Sequence, residues 1–277
     1  MTLSVRNGFF RGGIILAALS VGLIAIGGRF AFSAYPTALE SSSFRSWGII
    51  QKFIEGFAEP LAVIPFLTML SAAVFSLISI ILIYYFFEKT LSPEIFFFGC
   101  FIISLSFEIA RLIIPLQAVF PFSSMYLITA ARILLFGRFL GLFSLFAVSI
   151  YAAGLDAQKQ LNIFFMMTVA ALIIALNIPV DSLVWDSSLK MLNVYKTMFT
   201  IVEITILVIT VITFFVSAYS RSSRNYITIG IGIFLAVAGR NILLASDTWI
   251  TPITGLLFLF IGAWLVCSRL HRIYLWL

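Results

Sequence analysis

The chemistry open to this sequence lies in a few charged side chains set within apolar runs. LSFEIARLIIPL (105–116) carries Glu108 and Arg111, three residues apart. In a helix that spacing puts both on one face, where they can pair. RILLFGRFLGLF (132–143) carries Arg132 and Arg138, TIVEITILVIT (200–210) carries Glu203, and GRNILLA (239–245) joins Arg240 to Asn241. A charged side chain at the centre of a bilayer costs about 2.5–3.5 kcal/mol on insertion scales. Each of these groups therefore needs a partner or a purpose.

Helical rise gives their depth. At 1.5 Å per residue, Arg111 and Arg132 each lie about 10 Å from the outer ends of their spans, Glu203 about 13 Å and Arg240 about 9 Å. Glu108 falls nearer the midplane. Arg138 is about 20 Å down and on another face from Arg132, which makes it a secondary candidate. Lys196, Thr200 and Glu203 form a polar stripe leading outward, with Lys196 a second auxiliary candidate. The expected site is thus Glu108, Arg111, Arg132, Glu203, Arg240 and Asn241. Two readings of it stay open. In one, Glu108 pairs with Arg111 or Arg132 and Glu203 with Arg240, so that a closed ion-pair network locks the helices together. Such polar contacts in membranes are worth only about 0.6 kcal/mol each. In the other, the excess of four arginines over two glutamates binds an anion, because the planar guanidinium fork suits a carboxylate, a phosphate or a lipid headgroup.

The elements that must position these residues are membrane helices. Of 277 residues 62% are hydrophobic and 10% charged, far from the roughly 25% charged of soluble domains. Runs of about 20 apolar residues suffice to cross a bilayer as helices. Eight are read, at about 12–34, 61–87, 95–118, 125–153, 161–180, 194–219, 226–246 and 249–268. The alternating pattern of a membrane β-barrel is absent. The expected fold is an all-α polytopic bundle, divided into an N-terminal anchor span (1–40), an amphipathic interfacial helix (41–60) and a seven-helix bundle (61–277). In the interfacial segment Phe44, Trp47, Ile50, Ile54 and Phe57 recur at helical steps opposite Arg45, Lys52, Glu55 and Glu59, as in a helix lying on the membrane surface. It would serve as passive cover or as a lid. Ala31 to Ser33 resembles a signal cleavage site, but the apolar run before it is longer than a usual signal core, which favours a retained span.

Positive residues set the orientation. With the N-terminus in the cytoplasm, Arg6, Arg11, Lys89, Lys159, Arg221, Arg224, Arg269 and Arg272 lie inside, against Arg29, Arg45, Lys52, Lys190 and Lys196 outside. Both termini are then cytoplasmic, in a bacterial inner membrane. The net charge of +6 is explained by this face and requires no nucleic acid. Cys100 and Cys267 are too far apart in the chain to predict a disulfide, and no Cys/His spacing predicts a metal. The single histidine, His271, sits among Arg269 and Arg272 as an interfacial anchor. No nucleophile–base set predicts an enzyme, and GRFLG (137–141) and GIG (230–232) read as helix-packing glycines rather than phosphate loops. No cofactor is expected.

LSFEIARLI, RILLFGRFLGLF and GRNILLASDTWITP (239–252), with the seven spans from about 61 to 272, resemble the seven-helix membrane module of bacterial sensor proteins. The resemblance implies a ligand-binding, sensory bundle. Such modules continue into an output domain, so a separate protein partner would carry the signal. A small transporter or permease-like subunit for an anionic or lipid substrate is the alternative, followed by a structural subunit of a membrane complex. A retinal protein is excluded, because the last span lacks a Schiff-base lysine.

Overall fold

The structure is a computed structural model that describes residues 2–34, 63–117, 120, 123–179, 189, 196–245 and 250–275. The expected interfacial helix at 41–60 and most of the 181–193 connection lie outside these residues. Within them the chain is helical and contains no strand. Eight helices are long and apolar enough to cross a membrane, and the chain is a multi-pass membrane protein. They are α1 (Leu3–Ala34), α2 (Val63–Phe87), α3 (Pro93–Ser104, extended below), α4 (Ser124–Ala152), α5 (Gln160–Asn177), α6 (Lys196–Ser220), α7 (Arg224–Leu244) and α8 (Ile250–Leu275).

α3 is the axis of the bundle. Its start follows from local chemistry: the Ser92 hydroxyl accepts from the Ile95 amide at 3.3 Å, and Pro93 takes the first helical position, where a missing N–H costs nothing. Every residue from Pro93 to Ser104 is buried, as a helix apolar on all sides should be. Phe96, Phe97, Phe98 and Phe101 are fully enclosed. After Ser104 the helix tightens into a 3-10 winding over Leu105–Leu112, then closes with one α-turn, Ile113–Leu116. α1, α2, α4 and α8 all pack on this axis, while α5 and α6 lie toward the periphery.

α1 is an integral member of the bundle. Arg6, Phe10, Gly13, Ala17, Ser20, Ile24 and Gly27 are buried, and their alternating steps of four and three are the heptad stripe of helices that pack side by side. Phe10 meets the Gly99 position of α3, and Gly27 meets Leu112. α1 also starts earlier than its apolar run, because Arg6 is used structurally. Its guanidinium donates to the carbonyls of Phe87 (2.8 Å), Glu88 (2.7 Å) and Thr90, capping the end of α2 as a cation does.

α7 and α8 meet along a seam of glycines. A Cβ on Gly239 would stand 2.6 Å from the Gly255 carbonyl oxygen, and one on Gly262 would stand 2.6 Å from that of Gly232. Only small residues allow backbones this close. The seven-residue spacing of both pairs keeps the seam on one face of each helix. α8 continues into the basic tail, and Tyr274 donates to Glu94 Oε2 at 2.5 Å. Glu94 also accepts from Ser92 at 3.0 Å. The start of α1 and the end of α8 therefore lie at the same end of the bundle, beside the start of α3. Cys100 and Cys267 are free thiols.

Candidate functional site

The charged pair sits where α3 changes its winding. Residues i and i+3 eclipse one another in a 3-10 helix, so Glu108 and Arg111 stack directly, with Arg111 Nη1 3.7 Å from Glu108 Oε2. Both residues are 2% exposed. The contact is long beside the 2.7–2.9 Å usual for a charge-assisted hydrogen bond. Glu108 Oε2 has no hydrogen-bond partner among the described residues.

Neighbouring helices support the altered winding. Ser76 of α2 donates to the Ile102 carbonyl at 2.7 Å and lies 2.9 Å from Ser106 Oγ, while Ser20 of α1 donates to the Ser106 carbonyl at 3.2 Å. Hydroxyls from adjacent helices are what re-satisfies a backbone whose winding departs from α inside a membrane.

Arg240 completes the centre from α7. It is 2% exposed, and its Nη1 donates to the Arg138 carbonyl of α4 at 3.3 Å. Gly141, one turn further along α4, makes room for it: a Cβ there would stand 2.6 Å from Arg240 Nη1 and 2.5 Å from Ser104 Oγ. Arg240 Nε and Nη2 are buried and have no protein acceptor among the described residues. Glu108, Arg111 and Arg240 share a void of about 10 Å³ with Thr68, Ala72, Leu105, Leu243 and Leu244. That volume holds about one water molecule.

The other expected residues are arranged more loosely. Glu203 is half-buried on α6, and its charge and those of Glu108 and Arg138 are felt at Arg240. Arg138 enters the centre through its backbone carbonyl, with its own side chain half-buried. Arg132 is half-buried, forms no ion pair among the described residues and does not line the void. Asn241 is half-buried beside Arg240 and likewise takes no part in the void. Lys196 opens α6, but its side chain lies outside the described residues.

Residue types did not point to Thr68, Ser20, Ser76 or Ser106, and Gly141 reads from the sequence as a packing glycine with no link to the charges. The available signal was positional: Ser106 and Gly141 lie two and three residues from charges already singled out, within the same apolar runs. Chemically the centre offers two buried cations, one buried carboxylate and unengaged guanidinium donors on one side. Such a set can hold a small anion or a bridging water.

Comparison of the chain with known protein families, with curated proteins and with solved structures finds no match.

Proposed function

We propose that this protein is a non-enzymatic receptor-type membrane bundle whose charged centre binds a small anionic group, and that a separate protein partner reads its state. The reading rests on one observation: the Arg240 guanidinium is buried with two nitrogens lacking a protein acceptor among the described residues, beside a void that it lines with Arg111 and Glu108. A water can satisfy the donors but brings no charge to the guanidinium. A carboxylate or phosphate oxygen supplies both. Because the void holds about one water, any larger group must part the helices that line it, α2, α3 and α7. Occupancy is thereby coupled to helix position, which a sensor requires and a passive lock does not. α3 carries the displacement to the opposite end, where Glu94 grips Tyr274 of α8. The bacterial inner membrane, with both termini cytoplasmic, is the setting that the positive-residue bias supports.

The test is thermal melting of the purified protein in detergent, with acetate, inorganic phosphate or an anionic lipid as probe. Ligand binding stabilises by about 2.7 kcal/mol at a hundred times Kd, so a productive anion should raise the Tm of the native protein. Arg240→Gln should lose that response and, relieved of repulsion from Arg138, should melt no lower than the parent without anion. Glu108→Gln, which removes the carboxylate stacked on Arg111, should melt lower by the equivalent of about 3–5 kcal/mol. A sharply destabilised Arg240→Gln, together with a native protein blind to every anion, would establish a closed structural network instead. Accumulation of the productive anion in proteoliposomes would reassign the protein to transport.

A further inference from the structure

The side of the bundle between α2 and α8 holds a second feature, remote from the charged centre. We propose that it is a site for one acyl chain of an anionic lipid, whose headgroup sits at the end of the bundle where α1 begins and α8 ends.

The feature is a groove of about 350 Å³. Phe98 of α3, fully buried, forms its floor. Phe75 and Leu82 of α2 form one wall, Phe260 and Trp264 of α8 the other, and His271 stands at its mouth. His271 is fixed there by an edge-on contact with Phe87, at 5.4 Å between centroids and 88° between planes. Along α2 the lining runs from Phe75 to Phe87, and along α8 from Phe260 to His271. At 1.5 Å per residue both walls are about 17 Å long, close to the ~15 Å that is half of a ~30 Å hydrocarbon core. The groove therefore runs from mid-bilayer to headgroup level on one leaflet.

Its dimensions and chemistry select the occupant. α2 and α8 touch one another, so the cleft between them is too narrow to seat a helix with a side-chain envelope of about 10–12 Å. An acyl chain fits. Trp264 is a further sign. It lies near the middle of α8 and is 65% exposed, whereas tryptophans that anchor helices sit at the membrane–water interface. Here its ring extends the wall instead. At this end of the bundle Lys89 follows α2 and Arg269 and Arg272 flank His271 on α8, three cations against Glu88 and the Glu94 that Tyr274 holds, a balance that favours an anionic headgroup. One basic side chain near the surface is worth roughly a fivefold preference for anionic over neutral lipid.

Trp264 makes the groove directly observable. With Trp47, Trp185, Trp249 and Trp276 replaced by Phe, the protein is reconstituted in phosphatidylcholine. The vesicles contain an equal, low mole fraction of either dibrominated phosphatidylglycerol or dibrominated phosphatidylcholine. Bromine quenches indole fluorescence on contact. Brominated phosphatidylglycerol should quench Trp264 at a mole fraction roughly fivefold lower or better. Arg269→Gln with Arg272→Gln should erase that advantage, and so should Ala263→Phe, which puts a ring into the groove. Equal quenching by the two lipids at every mole fraction would mean ordinary boundary lipid and overturn the proposal. So would protection from both lipids with crosslinking between copies through α8, which would assign the groove to self-association. Should the single-tryptophan protein fail to fold, native mass spectrometry of the unmodified protein decides. Retention of phosphatidylglycerol over competing phosphatidylcholine is expected, and loss of both alike refutes the site.

Discussion

Gly141 determines how closely Arg240 can approach Ser104. A Cβ at Gly141 would crowd both groups, 2.6 Å from Arg240 Nη1 and 2.5 Å from Ser104 Oγ. Gly141→Ala must displace one or both, and overpacking of this kind costs about 1–3 kcal/mol. The Tm should fall accordingly, and Ser104→Ala in the same chain should recover part of the loss. A Gly141→Ala protein that melts like its parent would show that Arg240 does not rest there. At this scale the site was partly legible. Glu108, Arg111 and Arg240 announce themselves by type, since a charge in an apolar run demands compensation. The ranking of Arg132 above Arg138 did not carry through, because counting depth from span ends assumes that all helices end on one plane. It also ignores the several ångströms that an arginine side chain reaches along the axis. The Arg138 carbonyl, which no side-chain rule reveals, meets Arg240 instead.

The 3-10 stretch of α3 stores a change of length. Eight residues wound at about 2.0 Å rise rather than 1.5 Å are some 4 Å longer than the same residues in an α-helix. The Glu108–Arg111 stack belongs to the tighter form: 3-10 winding eclipses i and i+3, whereas α winding offsets them by about 60° on a shared face. An anion that engages Arg111 or Arg240 competes with that stack. Spin labels at Leu91 and Gln117, flanking α3, with Cys100 and Cys267 replaced by Ala, should approach by up to about 4 Å when a stabilising anion is added. An unchanged distance in a protein whose Tm has risen would rule out rewinding. The spans themselves were legible, because 20-residue apolar runs leave a helix as the single outcome in lipid. The winding of α3 was not. Its supports, Ser20 and Ser76, lie on other helices, and nothing local to LSFEIARL encodes their arrival.

For the molecule as a whole, the eight spans set which turns share a side. The α6–α7 turn, with Ser222, lies at the same end as the start of α1, and Gln117 lies at the other. With single cysteines in the background lacking Cys100 and Cys267, an impermeant reagent applied to intact cells should label Gln117→Cys and spare Ser222→Cys. The reverse pattern would invert the orientation. The division into anchor and seven-helix bundle rests on the first apolar run and on topology; among the described residues α1 packs on α2 and α3. The heptad stripe of α1 is diluted by Gly13, Ser20 and Gly27, small residues whose value depends on what they touch.

The glycine seam joins these scales. Helices held backbone to backbone at Gly239–Gly255 and Gly232–Gly262 cannot slide past one another independently, so Arg240 on one and Trp264 on the other ride on a single slab. A shift of that slab alters both the charged centre and the groove beside α2. For the two proposed sites thermodynamic linkage then demands symmetry: whatever factor a lipid would apply to anion affinity, the anion would apply to lipid affinity. With both proposed sites occupied, the composition of the surrounding membrane would become a second input to the same two helices.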